Sequence, residues 1–454
     1  MSSSSRIPKK GGTSSSSSSS VAHDMAGKIF VMDNGGGRIK YGSASHTEPQ
    51  GGVINSIAKL DKQMSLLIGD QVEEVQNGSL LHYTRPFERG YLTNPAVEIE
   101  IWDRLFHKEL KSSPGNWGSQ EHDYGGESLI LTDAPFTPVS LQNDMNEVIF
   151  EHYGFGEYLR RPAAWFSGYM FEQEVQRGDR KAVHSSCCTV VDSGFSFTHI
   201  FPFVDGKCVK NGVKRVNVGG KLLTNYLKEV VSYRQWNMMD EFKLMDQVKE
   251  DLCFVSTDFQ NDLRTASLAR GKKRDDAHGS PKDYLGGKMR KSFALPDFSQ
   301  IMKGFVKEDD AEIEQGEQVL GMDIERFCVP EVLFHPSDVG MDQAGITEAT
   351  WQALQQLNQA EMGLASSNML LTGGNMRLPQ IEERFKNEVR QHIPDIFHME
   401  SYLPRDPDTY AWRGAAAFAR HETELGTINQ HMVTRAEFLE RGHGHVNEKF
   451  FRGW

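Results

Sequence analysis

The stretch from Ile29 to Gly42 constrains the fold of this chain more than any other. Four consecutive apolar residues (29–32) precede Asp33, an asparagine, three glycines (35–37) and Lys40. An unbroken apolar run is typical of a strand buried on both faces, and successive glycines permit positive φ and close approach of the backbone to a ligand. The stretch therefore predicts a strand, a tight turn and a returning strand.

The glycine turn has the chemistry of a phosphate-binding loop. Its N–H groups can form a concave anion site, while Asp33 at the mouth and Lys40 on the returning strand suit a phosphate chain carrying a divalent cation. An ordinary glycine hairpin is the alternative. Two familiar phosphate loops do not match, because Lys40 replaces the third glycine of a dinucleotide fingerprint and Leu222 follows Gly220-Lys221 where a Walker loop needs Ser or Thr.

A second copy of the pattern favours the phosphate-binding interpretation. Val190 and Val191 lead into Asp192, Ser193 and Gly194, and a returning strand follows. Recurrence predicts a duplicated unit, hence two similar lobes whose facing hairpins could hold one phosphate chain. The length of 454 residues also exceeds what one core usually serves.

Composition excludes several classes of protein. No apolar run approaches the ~20 residues of a membrane span, and the N-terminus lacks the apolar core of a signal peptide. Five cysteines, without a Cys-x-x-Cys pair, predict reduced thiols and a cytosolic or nuclear location. A net charge of −12 argues against a broad DNA-wrapping surface but allows basic protein partners such as histones.

Local patterns organise the rest of the chain. Residues 1–27 are serine-rich and predict a disordered tail. Apolar runs predict strands at 51–57, 65–70, 129–132 and 369–372, the last of them followed by Gly373-Gly374. Helices are predicted from Thr93-Asn94-Pro95 onward, over 141–153 and over 379–392. Residues 265–322 are the least regular part, and we expect a surface insertion there that docks a partner and orders mainly on binding.

Taken together, these motifs resemble those of the actin superfamily, and within it the chain is most similar to the actin-related protein 6 subfamily. The resemblance extends from Ile29 to Phe450. Its motifs are both hairpins, Gly69-Asp70, Tyr91-Leu92-Thr93-Asn94, Leu131-Thr132-Asp133-Ala134-Pro135, Phe150-Glu151, residues 248–255, residues 330–336, Leu371-Thr372-Gly373-Gly374 and Tyr410-Ala411-Trp412-Arg413-Gly414.

The resemblance implies an α/β, two-lobed actin-like fold, the fold shared with chaperone ATPases and sugar kinases, with duplicated phosphate hairpins and a nucleotide cleft. The first lobe would span 28–182, completed by 412–454, and the second 183–411. ATP or ADP with Mg²⁺ or Ca²⁺ would bind in the cleft. The implied ligand-binding residues are Gly35, Gly36, Gly37, Lys40, Ser193 and Gly194 for the phosphates, Lys249, Glu250, Gly373 and Gly374 around the adenosine, and Asp33 and Asp192 for the metal through water.

Several departures from the actin pattern point away from hydrolysis. Phe195 stands where actins carry a second aspartate, Gly36 replaces the serine of the first loop, and Glu147 is taken as the counterpart of a glutamine thought to position water. His199 matches the actin histidine, so the machinery is reduced rather than absent. The short connection between Ile57 and Ile68, where actin carries a subunit-docking loop, argues against polymerisation.

The resemblance to the actin-related protein 6 subfamily, whose members belong to a complex that exchanges a histone variant into nucleosomes, implies a nuclear, actin-like structural subunit of a chromatin-remodelling complex. It would bind nucleotide with little or no hydrolysis, and it could also be present in the cytoplasm. Its partners would be the other subunits, with histones or nucleosomes as further candidates; membrane binding, sequence-specific nucleic-acid binding and homopolymers are not expected. The alternatives are a filament-forming cytoskeletal actin-like ATPase and, from the same fold, a sugar kinase or chaperone ATPase.

Overall fold

The computed structural model describes residues 26–60, 66–109, 124–182, 184–275, 289–308 and 316–454. Nearly all of the predicted serine-rich tail lies outside these ranges. From residue 29 to 182 the elements are β1 (Ile29–Asn34), β2 (Arg38–Ser43), β3 (Gly51–Ile54), β4 (Ile57–Leu60), β5 (Leu66–Ile68), α1 (Asp70–Glu74), β6 (Leu81–Thr84), β7 (Phe87–Glu88), β8 (Tyr91–Leu92), α2 (Pro95–Glu109), β9 (Ser128–Asp133), α3 (Val139–Glu147), β10 (Glu157–Pro162) and α4 (Ala163–Gln176).

The second half begins with another strand pair. Its elements are β11 (Cys188–Ser193), β12 (Thr198–Val204), β13 (Lys207–Cys208), β14 (Lys214–Val216), α5 (Gly220–Arg234), α6 (Phe242–Leu252), α7 (Phe259–Asp275), β15 (Lys291–Ala294), β16 (Phe305–Val306), β17 (Val319–Met322), α8 (Glu325–Glu331), α9 (Ile346–Leu354), α10 (Gln359–Ser366), β18 (Asn368–Thr372), α11 (Ile381–His392) and β19 (Glu400–Tyr402). The C-terminal elements are α12 (Tyr410–Leu425), α13 (Ile428–His431), β20 (Val433–Thr434) and α14 (Arg435–Arg452).

Two sheets built on the same plan carry the two lobes. The first has the order β20-β10-β9-β1-β2-β3, and the second the order β13-β12-β11-β18-β19 with β14 beside β12. In each, a hairpin (β1–β2 or β11–β12) lies beside a parallel strand (β9 or β18). The predicted two-lobed, actin-like α/β fold is confirmed by this repetition, which also places the carboxyl ends of β1 and β11 at corresponding edges.

Each lobe has its own apolar core. Phe30 on β1 packs edge-on against Phe106 of α2, with ring centroids 5.9 Å apart, in the first core. The second core includes Val191 of β11 and Leu371 of β18, both fully buried. Helix α12 returns to the first lobe, where the buried Trp412 Nε1 donates a 3.0 Å hydrogen bond to the Val31 carbonyl.

The prediction that 265–322 is irregular is wrong for the described parts of that segment. Strands β15, β16 and β17 form a three-stranded sheet, and α7 extends to Asp275. Phe293, Leu320 and Met322 are fully buried, so these strands contribute apolar side chains to the second core. Residues 276–288 and 309–315 lie outside the described ranges.

Other local predictions agree with the structure within a few residues. The predicted helix over 141–153 is α3 followed by a π-helical turn, Val148–His152, and Gly154 has a φ of +68° after it. The short connection after Ile57 is a β4–β5 hairpin in which Ile57 lies opposite Ile68. All five cysteines are free thiols. Within the described residues, no helix has the length and apolarity needed to cross a membrane.

Candidate functional site

Asp33 is held at the end of β1 by two side chains. Thr132 Oγ1 donates a 2.8 Å hydrogen bond to Asp33 Oδ1, and Lys40 Nζ lies 2.9 Å from Asp33 Oδ2. Lys40 is the cross-strand partner of Asp33 in the β1–β2 hairpin. Burial alone would lower the pKa of Lys40, but the Asp33 carboxylate raises it above its ordinary value, with further contributions from Asp408 and Asp192. The ammonium is therefore a fixed positive charge beside the glycine turn.

The second hairpin is fastened to the turn that follows β18. Asn375 Nδ2 donates to Ser193 Oγ at 3.0 Å and to the Gly194 carbonyl at 2.8 Å. Gly373 has a φ of +94°, and a Cβ there would lie 2.3 Å from the Ser193 carbonyl oxygen. Only glycine fits this close approach. The structure thus brings together Ser193, Gly194 and Gly373.

Asp192 faces the same space as Asp33 from the opposite lobe. Burial, and then the nearby Asp33 charge, raise the pKa of Asp192 to about 6, although Lys40 acts in the other direction. A bound cation would favour the ionised form of both carboxylates. Across the described residues there is no group of three or more His, Cys, Asp or Glu side chains placed to hold a metal ion. Two carboxylates on facing hairpins suit a cation that takes its other ligands from water and phosphate.

The two hairpins meet at their tips. A Cβ added to Gly37 would lie 2.6 Å from Phe195 Cγ, and one added to Gly36 would lie 2.7 Å from Ser196 Oγ. In the described residues, the N–H groups of Gly36 and Gly37 take part in no backbone hydrogen bond. They are therefore available to an anion. A side chain at Gly37 would have to displace the Phe195 ring, whereas one at Gly36 would meet the Ser196 hydroxyl, which can rotate away.

Lys249 and Glu250 lie on α6, beside the start of α5 and the turn after β18. Lys249 Nζ donates to Thr224 Oγ1 at 2.8 Å and to Asp246 Oδ1 at 2.6 Å. A Cβ on Gly220 would lie 3.1 Å from Asn375 Oδ1 and 3.7 Å from Lys249 Nζ, so these groups are adjacent.

Glu250 and Gly374 occupy the more open part of the same region. Burial and the neighbouring Asp246 raise the pKa of Glu250, which also feels the charges of Lys249 and Arg377. A Cβ on Gly374 would meet no atom within 4 Å. The space beside Gly374 is therefore free to admit part of a ligand.

The prediction that Glu147 borders the phosphates is wrong. Glu147 ends α3, its side chain is 56% exposed, and its Oε1 lies 3.4 Å from His443 Nε2. Helix α3 precedes β10, so Glu147 lies on the side of the amino end of that strand. The phosphate turns follow the carboxyl ends of β1 and β11, at the opposite edge of the sheets. The residue that directly follows β10 at the carboxyl edge is Ala163, which has no polar side chain.

His199 is next to the site but is held uncharged. Burial, with a contribution from Arg215, lowers the pKa of His199 to about 3. Its ring packs edge-on against Phe197 at a centroid distance of 5.9 Å. At neutral pH the imidazole is therefore neutral and could act as a hydrogen-bonding group but not as a cation.

Sequence reasoning missed two residues that organise the hairpins. Thr132 and Asn375 fasten Asp33 and Ser193 respectively, but neither was given a role. Both follow apolar runs, at 129–131 and 369–371. Since polar groups at the carboxyl ends of parallel strands meet at one edge, that position was the available signal.

Two lobes with equivalent hairpins, facing aspartates and available turn amides define the class of actin-like, two-lobed phosphate-binding proteins. The Actin family model matches residues 26–451, and the chain belongs to that family. Nucleotide binding is a general property of this family, so the fold implies a nucleotide cleft between the lobes.

Relatives named Actin-related protein 6 are similar over nearly the full chain. The relative from Oryza sativa subsp. indica is 34% identical, with 93% of this chain and 98% of the relative covered. The relative from Drosophila melanogaster is 32% identical, with 94% and 100% covered, and that from Arabidopsis thaliana is 33% identical, with 93% and 99% covered. The resemblance predicted from the motifs is confirmed, and the chain is an actin-related protein.

Proposed function

We propose that this protein is a nucleotide-binding structural subunit of a nuclear chromatin-remodelling complex, with little or no ATP hydrolysis. The observation that carries the proposal is the contact between Phe195 and Gly37. An aromatic ring stands at the tip of the second hairpin where the family resemblance calls for an acid. The groups that bind phosphate are kept, while a group that would orient water is replaced.

The residues of the cleft fit ATP or ADP with Mg²⁺ or Ca²⁺. The unbonded amides of Gly36 and Gly37, together with Lys40, suit the phosphates, and Ser193 and Gly194 face them. Asp33 and Asp192 would hold the cation through water, and its charge would relieve the repulsion from Asp33 that contributes to the raised pKa of Asp192. When bound, the cation would neutralise phosphate charge.

The nucleoside would lie between α6 and the turn after β18. Lys249 and Glu250 would border it on one side, and Gly373 and Gly374 on the other, where the space beside Gly374 is open. The glycines allow backbone contact with a flat ring that larger side chains would prevent.

Hydrolysis needs a positioned water, and the cleft is poorly equipped to hold one. Phe195 offers no hydrogen bond at the tip of the second hairpin, and Ala163 offers none where it follows the carboxyl end of β10. Loss of one electrostatic or positioning group typically costs about 10²–10³ in kcat. Two such losses together favour binding without turnover.

Assembly with other subunits is supported by the likeness to actin-related proteins and by the net charge of −12, which suits basic partners such as histones. We propose a complex that exchanges a histone variant in the nucleus. The short β4–β5 connection disfavours the filament-forming alternative, because a filament needs a repeated contact between unlike surfaces.

The proposed nucleotide binding without hydrolysis is tested on purified protein. Its bound nucleotide is identified after denaturation, and steady-state ATP hydrolysis is compared with that of Asp192→Ala. We expect bound ATP or ADP and negligible turnover. Robust hydrolysis abolished by Asp192→Ala would overturn the structural role, and lack of nucleotide affinity would overturn the binding role.

The proposed assembly into a remodelling complex is tested by tagging the chain, purifying it from nuclear extract and identifying the proteins that co-purify with it. Subunits of a remodelling complex are expected in stoichiometric amounts. Recovery only as a free monomer or as filaments would contradict the proposal.

A further inference from the structure

Arg85 reaches from the first lobe into the cleft, where aromatic rings hold it. Its Cζ lies 4.7 Å from the centroid of the Phe195 ring and 5.2 Å from that of Phe242, both in the second lobe. Tyr83, of the first lobe, adds a third ring at 5.9 Å. A guanidinium stacked on rings is attracted by their faces, which fixes its position between the lobes.

At least one hydrogen-bond donor of Arg85 is unused in the part of the chain that the structure describes. Stacking engages the faces of the guanidinium and leaves its in-plane N–H groups free. Arg85 Nη1 is buried and has no hydrogen-bond partner among the described residues. A buried charged donor without an acceptor is costly, so the site is incomplete as it stands.

A second cation lies close to Arg85. Lys221 is the second residue of α5, and neither side chain forms an ion pair with any residue the structure describes. Desolvation, followed by the charge of Arg85, lowers the pKa of Lys221, while the more distant Glu88 carboxylate acts in the other direction without forming an ion pair. Two like charges held near one another favour the binding of an anion between them.

Both cations border the phosphate hairpins. The Phe195 ring contacts both Gly37 and Arg85, and the Lys221 N–H donates a 2.8 Å hydrogen bond to the Phe195 carbonyl. An aspartate at position 195 could pair with Arg85 and neutralise it. The aromatic ring instead orients Arg85 and leaves its charge available.

We propose that Arg85, assisted by Lys221, is a further phosphate-binding residue of the cleft and makes it selective for nucleoside di- and triphosphates over the nucleoside. This inference rests on the proposed nucleotide binding. Planar N–H donors suit bidentate contact with phosphate oxygens, and the lobe-bridging position couples that contact to closure of the cleft.

The test compares binding of ATP, ADP and adenosine by titration calorimetry. The variants are Arg85→Met, Lys221→Met and the control Arg89→Met, which removes an exposed positive charge four residues away. We expect ATP and ADP affinity to fall by about 10–100-fold in Arg85→Met and by a smaller factor in Lys221→Met. Adenosine affinity should not change, and Arg89→Met should match the unaltered protein.

The outcomes separate this inference from the proposed function. If the unaltered protein binds no ATP, the proposed function fails and the inference with it. If the unaltered protein binds ATP and both Arg85→Met and Lys221→Met bind it equally well, only the phosphate role is overturned. Equal losses for ATP and adenosine would also overturn it, because they would show a structural effect. Lys221→Met keeps the test decisive if Arg85→Met does not fold.

Discussion

Glu98 provides a sharp test of the packing behind the first hairpin. It lies on α2 and is only 1% exposed. Asn55 Nδ2 approaches Glu98 Oε1 at 3.4 Å and donates to the Gly35 carbonyl at 3.1 Å. No cation pairs with Glu98 among the described residues, so its charge would be buried with only neutral donors near it.

The cost of that charge can be worked out from the pKa. Burial, partly offset by hydrogen bonds from neighbouring side chains, raises the pKa of Glu98 from 4.5 to about 7. One pKa unit corresponds to about 1.4 kcal/mol, so the ionised form lowers the free energy of unfolding by about 3 kcal/mol.

The sign of the pH dependence follows from proton binding. Between pH 4.5 and about 7 the native state keeps a proton on Glu98 that the unfolded chain has released. The contribution of Glu98 to stability is therefore present in full below pH 4.5 and is lost as the pH rises through about 7.

The variant Glu98→Gln keeps the shape of the protonated acid and removes the titration. We expect its free energy of unfolding in urea to match that of the unaltered protein near pH 4.5 and to exceed it by about 3 kcal/mol at pH 8. Glu100→Gln, on the same helix, is the matched control. An equal effect of Glu98→Gln at both pH values, or none at pH 8, would refute the reasoning.

Three further predictions concern the hairpins, the second core and assembly. Gly37→Ala should destabilise the protein by about 1–3 kcal/mol through its clash with Phe195, and by less when Phe195→Ala is also present; a double-mutant cycle in urea measures the coupling, and additive effects would contradict the contact. Arg384→Ala should cost about 3 kcal/mol, because it removes the guanidinium 2.7 Å from the buried Glu331 and leaves only His335 Nδ1, 2.8 Å from Glu331 Oε1, beside that carboxylate; a change in urea unfolding below 1 kcal/mol would show that the pair is not needed. The protein should remain monomeric under salt and Mg-ATP conditions that polymerise actin, and ordered filaments in a sedimentation pellet would return the cytoskeletal alternative to first place.

The parts of the site that follow from local sequence were predictable. Asp33, the glycine turn and Lys40 are close in the chain, so one stretch of sequence contains the whole hairpin. The contact between Phe195 and Gly37 joins residues of different lobes, and no local pattern reveals it. For the same reason Arg85 has no signal in its own segment, since two of its rings come from the second lobe.

The misplacement of Glu147 has a different origin. Alignment by motif placed Glu147 near the phosphates. Because β10 runs parallel to β9, a residue before β10 lies at the amino end of the strand, away from the phosphate turns. The ordered strands β15–β17 were missed because each is short and the glycines and charges around them dominate the composition.

The pairing of β20 with β10 has a consequence for synthesis of the chain. Val433 and Thr434 pair with Tyr158 and Glu157, so the first sheet is complete only when the last part of the chain has been translated. All strands of the second sheet lie between residues 188 and 402 and are available earlier. The second lobe can therefore finish folding before the first. Until β20 has been translated, β10 is an open sheet edge that could pair with other chains.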